Sequence, residues 1–266
     1  LPNHSYDLGT AAWKFEDPRT GTACSGICQT SGAPDEVNAY RSELQGIHSI
    51  LLAVTLVCGE KKIKKGAVTL GCDNLGGVNN ANYERRTVSW KNKHTDLIRA
   101  IRTLKASLQQ KGIQVNFEHV KGHQDDVEFY EDLSRMAQLN SEMDHAAKQA
   151  LEELIAEPKV CSSVIWGEGW YCQVEGRKCT ADPGPQIRRS ILGKDLQSFQ
   201  LQKGRITPTG FESIDWKGME EAATLWPAMF AIWVTKHVSG FCGVNNMMFK
   251  RNESTTKGCP CCQHPD

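Results

Sequence analysis

The sequence predicts an α/β domain, a mixed sheet flanked by helices, followed by a smaller unit that is mostly helical or irregular. Three observations carry that reading. Two extended segments open the chain, apolar residues then recur at helical spacing in three long stretches, and two short apolar or alternating runs separate those stretches.

Residues 9–17 (GTAAWKFED) alternate small or apolar with polar side chains. PRTG turns the chain, and residues 22–30 (TACSGICQT) resume the extended pattern, which predicts a hairpin. After the turn-rich SGAPDE, residues 37–58 place Leu44, Ile47, Leu51, Leu52, Val54 and Leu56 near helical spacing with no proline among them. Residues 66–72 (GAVTLGC) form a buried strand ending at Asp73. Residues 96–110 repeat Leu97, Ile98, Ile101, Leu104 and Leu108 as a second helix, residues 114–120 (QVNFEHV) alternate as a strand, and residues 136–156 form a third helix that Pro158 stops. A domain over residues 1–157 results. Residues 158–185, rich in Gly, Cys, Trp and Pro, read as a linker or irregular stretch. Residues 186–266 hold two helical candidates, 187–202 and 219–235, and end in a cysteine cluster. Trp226, Trp233 and Phe241 read as core side chains of that region.

At 266 residues the chain can bury a sizeable core, and its apolar runs in the sequence are short of a bilayer span. No signal-peptide pattern opens it, so an intracellular setting, nucleus or cytoplasm, is expected, with no membrane partner. Leu1 at the start predicts a piece of a longer polypeptide. Thirty-one basic and thirty-one acidic residues cancel, so net charge gives no support to nucleic-acid binding. Local clusters, Lys61, Lys62, Lys64 and Lys65, then Arg85, Arg86, Lys91, Lys93, His94 and Arg99, could meet phosphates or be solvated faces. Eleven cysteines at irregular spacing do not make a disulfide framework. Cys24, Cys28, Cys58, Cys72 and Cys161 read as reduced small hydrophobes.

Three carboxylates stand at comparable points: Glu43 early in the first helix, Asp73 at the strand end, and Asp144 in the third helix. Each alone has an ordinary structural reading, as a solvated helix flank or a cap. Their contexts, AYRSELQGIHSIL, VTLGCDNLGG, VKGHQDD and LNSEMDHAAKQA, taken in order, resemble type 1 ribonuclease H. The resemblance covers residues 1–157. It implies a ribonuclease H-like fold, a metal-dependent endonuclease acting on the RNA strand of an RNA–DNA hybrid, and Glu43, Asp73 and Asp144 as ligands of Mg²⁺ or Mn²⁺. It also implies His123 as a mobile catalytic histidine, and Asn74 and Asn140 as residues touching substrate. Acids suit this chemistry, because two hard cations about 3.5–4 Å apart can activate water and neutralise the leaving oxygen.

One part of the pattern is missing. The family's first strand supplies another Asp, and Asn3, His4 and Ser5 stand where it is expected, so the first strand is degenerate or absent. Reduced or absent cleavage is expected, and the alternative is a binding domain that keeps the fold without cutting. The C-terminal WVTKHVSGFCGVNNMMFKRNESTTKGCPCCQHPD resembles the region after the ribonuclease H domain in eukaryotic retroelement polyproteins, which implies a reverse transcriptase in the same parent polypeptide. Cys259 and Cys262 make a C-x-x-C pair, half of a zinc site, with His264 beside it.

Overall fold

A computed structural model describes residues 8–33, 36–83, 87–158, 164–204, 206–239 and 245–258. The backbone divides into two compact units, Leu1–Lys194 and Asp195–Asp266. The fold is mixed α/β with small sheets, and it is the first unit that holds them.

The hairpin forms as read: β1 (Thr10–Glu16) pairs antiparallel with β2 (Ala23–Gln29), Thr10 opposite Gln29 and Glu16 opposite Ala23. Gly21 closes the turn at φ 71°, donating its amide to the Asp17 carbonyl. α1 (Ala39–Glu60) begins at Asn38, whose side chain accepts the Arg41 amide as an N-cap. By length and composition α1 could cross a membrane. Its apolar stripe is buried in this fold instead: Leu44, Ile47, Leu51 and Val54 pack into the core with Leu97, Ile101, Leu104 and Leu108 of α3 (Thr95–Gln110). β3 (Gly66–Cys72) and β4 (Ile113–His119) pair in parallel, Gly66 opposite Ile113, and α3 lies on the connection between them. Parallel neighbours require such a crossover.

Two features differ from the sequence reading. Residues after Asp73 form a short helix, α2 (Leu75–Asn82), despite two glycines and three asparagines. Asn74 caps it by accepting the Gly77 amide at 3.0 Å, and local capping of this kind is invisible to apolar periodicity. Where one sheet was expected, the described residues pair two by two: β1 with β2, β3 with β4, and a two-residue pair, β5 (Gln173–Val174) with β6 (Arg177–Lys178). α4 (Arg135–Ala156) lies over both larger sheets. It is tied to β1 by Lys14–Glu142 at 2.6 Å and Arg135–Glu16 at 2.6 Å.

The stretch read as a linker is folded onto the first unit. Ile165 joins the core, Cys179 is buried, and Lys178 reaches a buried ionic cluster. Arg41 grips Asp96 with both terminal nitrogens, at 3.0 and 2.8 Å, and donates through Nε to the Ser31 carbonyl. Lys178 adds contacts to Asp96 at 3.2 Å and to Glu168 at 2.6 Å. Gly32, at φ 128°, lets the backbone pass beside this guanidinium: a Cβ there would stand 2.8 Å from Arg41 Nε. Burial would raise the pKa of Asp96, but the Arg41 hydrogen bonds and charge hold it below its ordinary value.

The division between units falls within α5 (Pro183–Gln202). The second unit continues with α6 (Pro208–Glu212), α7 (Trp216–Thr224), α8 (Ala228–Ser239) and α9 (Asn245–Lys250). The continuous helix expected over 219–235 is broken at Pro227, which cannot donate a helical amide. Trp233 is half exposed rather than core, stacking on Phe230 at 5.7 Å between ring centres, and Trp226 is partly buried against the same Phe230. Phe241 lies outside the described residues.

Removing one member of a buried ion pair leaves the other charged and unpaired, at a cost of about 3–5 kcal/mol. Asp96→Ala is expected to lower the urea-unfolding free energy by that amount. Arg41→Met with Asp96→Leu should cost clearly less. Equal losses in the two variants would show that packing, not charge, sets the cost.

Candidate metal centre

Three elements bring the acids together. Arg41 and Glu43 are two residues apart on α1, so they point to nearly opposite sides. Arg41 faces Asp96 of α3, and Glu43 faces the end of β3, where Cys72 donates its thiol to Glu43 Oε2 at 3.5 Å. Asp73 follows Cys72 as the strand ends. Ligand atoms of Glu43, Cys72 and Asp73 all lie within 4.8 Å of one another. α4 delivers Asp144 to the same neighbourhood, with Asn140 one turn earlier. Both line a cleft of about 470 Å³ that Glu43 also lines.

The charges register this crowding. Burial lifts Glu43 from its ordinary 4.5 to about 7, with repulsion from Asp73 and then from Asp144 adding to it. Asp144 is raised as well, by burial first and by Asp73 second, while His123 and Lys148 pull it back. Glu43, Cys72 and Asp73 form a group that could hold a metal ion, with the Asp144 carboxylate near enough to be raised by the charge of Asp73. A cation reverses the repulsion that the carboxylates impose on each other.

The loop bearing His123 touches this site at a glycine. A Cβ on Gly122 would lie 2.9 Å from Asp73 Oδ2, so a larger residue would push the loop away. His123 itself is exposed and holds a left-handed backbone at φ 53°, with Nδ1 at 3.9 Å from Asp126 Oδ2. His119 steadies the far side, one ring nitrogen sharing a hydrogen at 2.9 Å with the Asp73 carbonyl.

Not every residue singled out in the sequence belongs here. The Asn74 side-chain oxygen is engaged in capping α2. His94 is buried beside Arg41, with its ionisation pushed down to about 4 by burial and by that guanidinium, so it is no phosphate contact. Arg99 stacks over Trp90 and Trp170, at 4.7 and 5.3 Å from the ring centres. Lys61, Lys62, Lys64, Lys65, Lys91 and Lys93 are exposed. Arg85, Arg86, Asn3, Cys161, Cys259, Cys262 and His264 fall outside the described residues. The thiol of Cys72 was missed as part of the site. Read as a small hydrophobe, it is indeed buried, and only its adjacency to Asp73 could have flagged it. Cys24, Cys28, Cys58 and Cys72 are free thiols, with Cys24 exposed.

The raised ionisation of Glu43 links this site to stability. The folded protein binds that proton more tightly than the unfolded chain. The stability it contributes is therefore complete below about pH 4.5 and is lost as pH climbs through about 7. Glu43→Gln removes the repelled charge. Its melting temperature is expected to exceed that of the parent by about 2–4 °C at pH 8 and to match it below about pH 4.5. A variant less stable than the parent at both pH values would contradict the electrostatic picture. Set against family models, curated proteins and solved structures, the chain matches none of them.

Proposed function

We propose that the first unit is a nuclease domain of the ribonuclease H type, hydrolysing the RNA strand of an RNA–DNA hybrid. The meeting of Glu43 and Asp73, with Asp144 near enough to feel the charge of Asp73, is the observation that supports this reading. Motifs scattered over the sequence need not have come near one another. Bound Mg²⁺ or Mn²⁺ would supply the charge that lowers the pKa of an attacking water and steadies the leaving oxygen.

The residues of the chain have separable parts in that chemistry. Glu43, Asp73 and Asp144 would hold the ions. Asn140, on the cleft wall one turn before Asp144, can hydrogen-bond a nucleic-acid backbone. His123 follows Gly122 and stands close enough to Asp144 to lower its pKa, a position from which a proton can be handed to a departing oxygen. A retroelement parent carrying a reverse transcriptase, and zinc at Cys259 and Cys262, belong to the same proposal and rest on the sequence resemblance.

A second reading is favoured by one specific residue. Asn3, where the pattern expects an aspartate, brings no charge to help hold two cations, and a domain that binds hybrid without cutting it would tolerate that change.

Cleavage of a labelled RNA–DNA hybrid with Mg²⁺ or Mn²⁺ separates the two readings. A cutting chain should lose at least about 100-fold on Asp73→Asn, since a metal ligand is removed. If the parent binds hybrid and does not cut it, gain of cleavage by Asn3→Asp supports the degenerate reading. Equal cleavage by parent and Asp73→Asn would remove the metal-site assignment.

A further inference from the structure

We propose that Cys172 and Cys179 are a redox modification site, a dithiol that small-molecule disulfides oxidise to a bond stapling the hairpin that carries Lys178. The inference rests on the register of that hairpin and on what the hairpin holds. It does not depend on the nuclease reading.

The hairpin is short and tightly specified. β5 and β6 pair Gln173 with Lys178 and Val174 with Arg177, around a two-residue turn of Glu175 and Gly176. Both turn residues have positive φ, 50° and 80°, as a type I′ turn requires. One step further out Cys172 faces Cys179, and the Cys179 amide donates to the Cys172 carbonyl at 2.8 Å. Residues that face each other across an antiparallel ladder have Cα atoms about 4.5–5.5 Å apart, within the roughly 4.4–6.8 Å that a disulfide spans. The two side chains already share a hydrogen bond. The pair can therefore close with little backbone movement.

The other described thiols are placed differently. Across their ladders Cys24 faces Phe15, Cys28 faces Ala11 and Cys72 faces His119, while Cys58 lies near the end of α1. Cys172 and Cys179 are free thiols, the first partly exposed and the second buried. Both line a small cleft of about 90 Å³ beside Trp90 and Trp170. Burial first, and then the hydrogen bond with Cys172, hold the Cys179 thiol above its ordinary range, which makes it the poorer initial nucleophile.

The order of events follows from that asymmetry. With glutathione disulfide as oxidant, the Cys172 thiolate attacks one of its sulfurs, the S–S bond of the reagent breaks, and one glutathione leaves as thiolate. Cys179 then loses its proton and attacks Cys172 Sγ, which forms the Cys172–Cys179 bond and expels the second glutathione. Two protein thiols are oxidised, one glutathione disulfide is reduced to two thiols, and the two protons end on those thiols.

The bond would hold a segment that carries long-range contacts. Lys178, beside Cys179, takes its ammonium to Asp96 and Glu168. On the other side of Cys179, the Thr180 carbonyl accepts the Asp96 amide at 3.3 Å, and the Thr180 hydroxyl donates to Glu36 at 2.9 Å. Closing a ring through Cys179 restricts how far the hairpin can open, so these contacts would break less often in the oxidised chain.

The test uses the full chain, incubated with excess glutathione disulfide or with a reductant, then alkylated, denatured and digested with trypsin. Cleavage after Arg177 and Lys178 parts the two cysteines, so their bond should appear as a linked pair of peptides in the oxidised sample alone. Hydrogen exchange over residues 165–180 should slow at least about tenfold on oxidation and stay unchanged in α8. Cys179→Ser should trap glutathione on Cys172, whereas Cys172→Ser, at the more exposed position, should trap none on Cys179. Neither variant should gain protection. Absence of the linked pair, a bond from Cys172 to any other cysteine, or equal exchange in the oxidised and reduced chains would overturn the proposal.

Discussion

The bidentate contact between Arg41 and Asp96 is the constraint around which the first unit is organised. It lies in the first turns of α1, joins that helix to α3, and through Lys178 and Glu168 draws in a segment more than a hundred residues downstream. Such a cluster contributes little net stability over an apolar alternative, because desolvation offsets attraction. What it supplies is register. A buried guanidinium with its nitrogens on Asp96 and Ser31 admits one rotation of α1. That rotation aims Glu43, on the opposite face, at the end of β3. The ionic cluster on one side of the helix thus fixes the acidic cluster on the other.

Much of this architecture was legible as pattern. β1, β2, β3 and α3 fall within a residue or two of where alternation and periodicity put them, because each buries a regular face. α2 was not legible, since its formation depends on one capping hydrogen bond from Asn74 and its apolar content is slight. The segment at 164–180 was read as a linker because it lacks periodicity. It is held instead by Lys178 in a long-range ionic contact and by Ile165 in the core, and neither leaves a local signature. For the candidate site, the sequence contexts single out Glu43 and Asp73, which the structure brings together, but not Cys72 between them. A cysteine inside an apolar strand looks the same whether its thiol meets methylene groups or a carboxylate. His94 misled in the opposite direction: a histidine in a basic run reads as surface, yet its ring is buried beside Arg41.

The acidic site works against the stability of the fold that carries it. Burial and mutual repulsion hold Glu43 near the middle of the physiological range, so at neutral pH the chain bears a carboxylate it would ionise more readily when unfolded. A surface acid with no task does not need this arrangement, which requires three elements to present like charges to one point. Strain of this kind is stored at functional sites. On the proposed reading, cations bound among Glu43, Asp73 and Asp144 would let a chain with no net charge attract phosphate at this point.

Cleft and acids also share a boundary. Glu43 and Asp144 line the space between β1 and β3, and Cys72 at the end of β3 touches both the gap and Glu43. Desolvation is already the largest influence on Glu43 and on Asp144, so anything that excluded more water from that space would raise both unless it brought a cation or a hydrogen-bond donor. Occupancy of the cleft and the charge of the site are therefore one physical event.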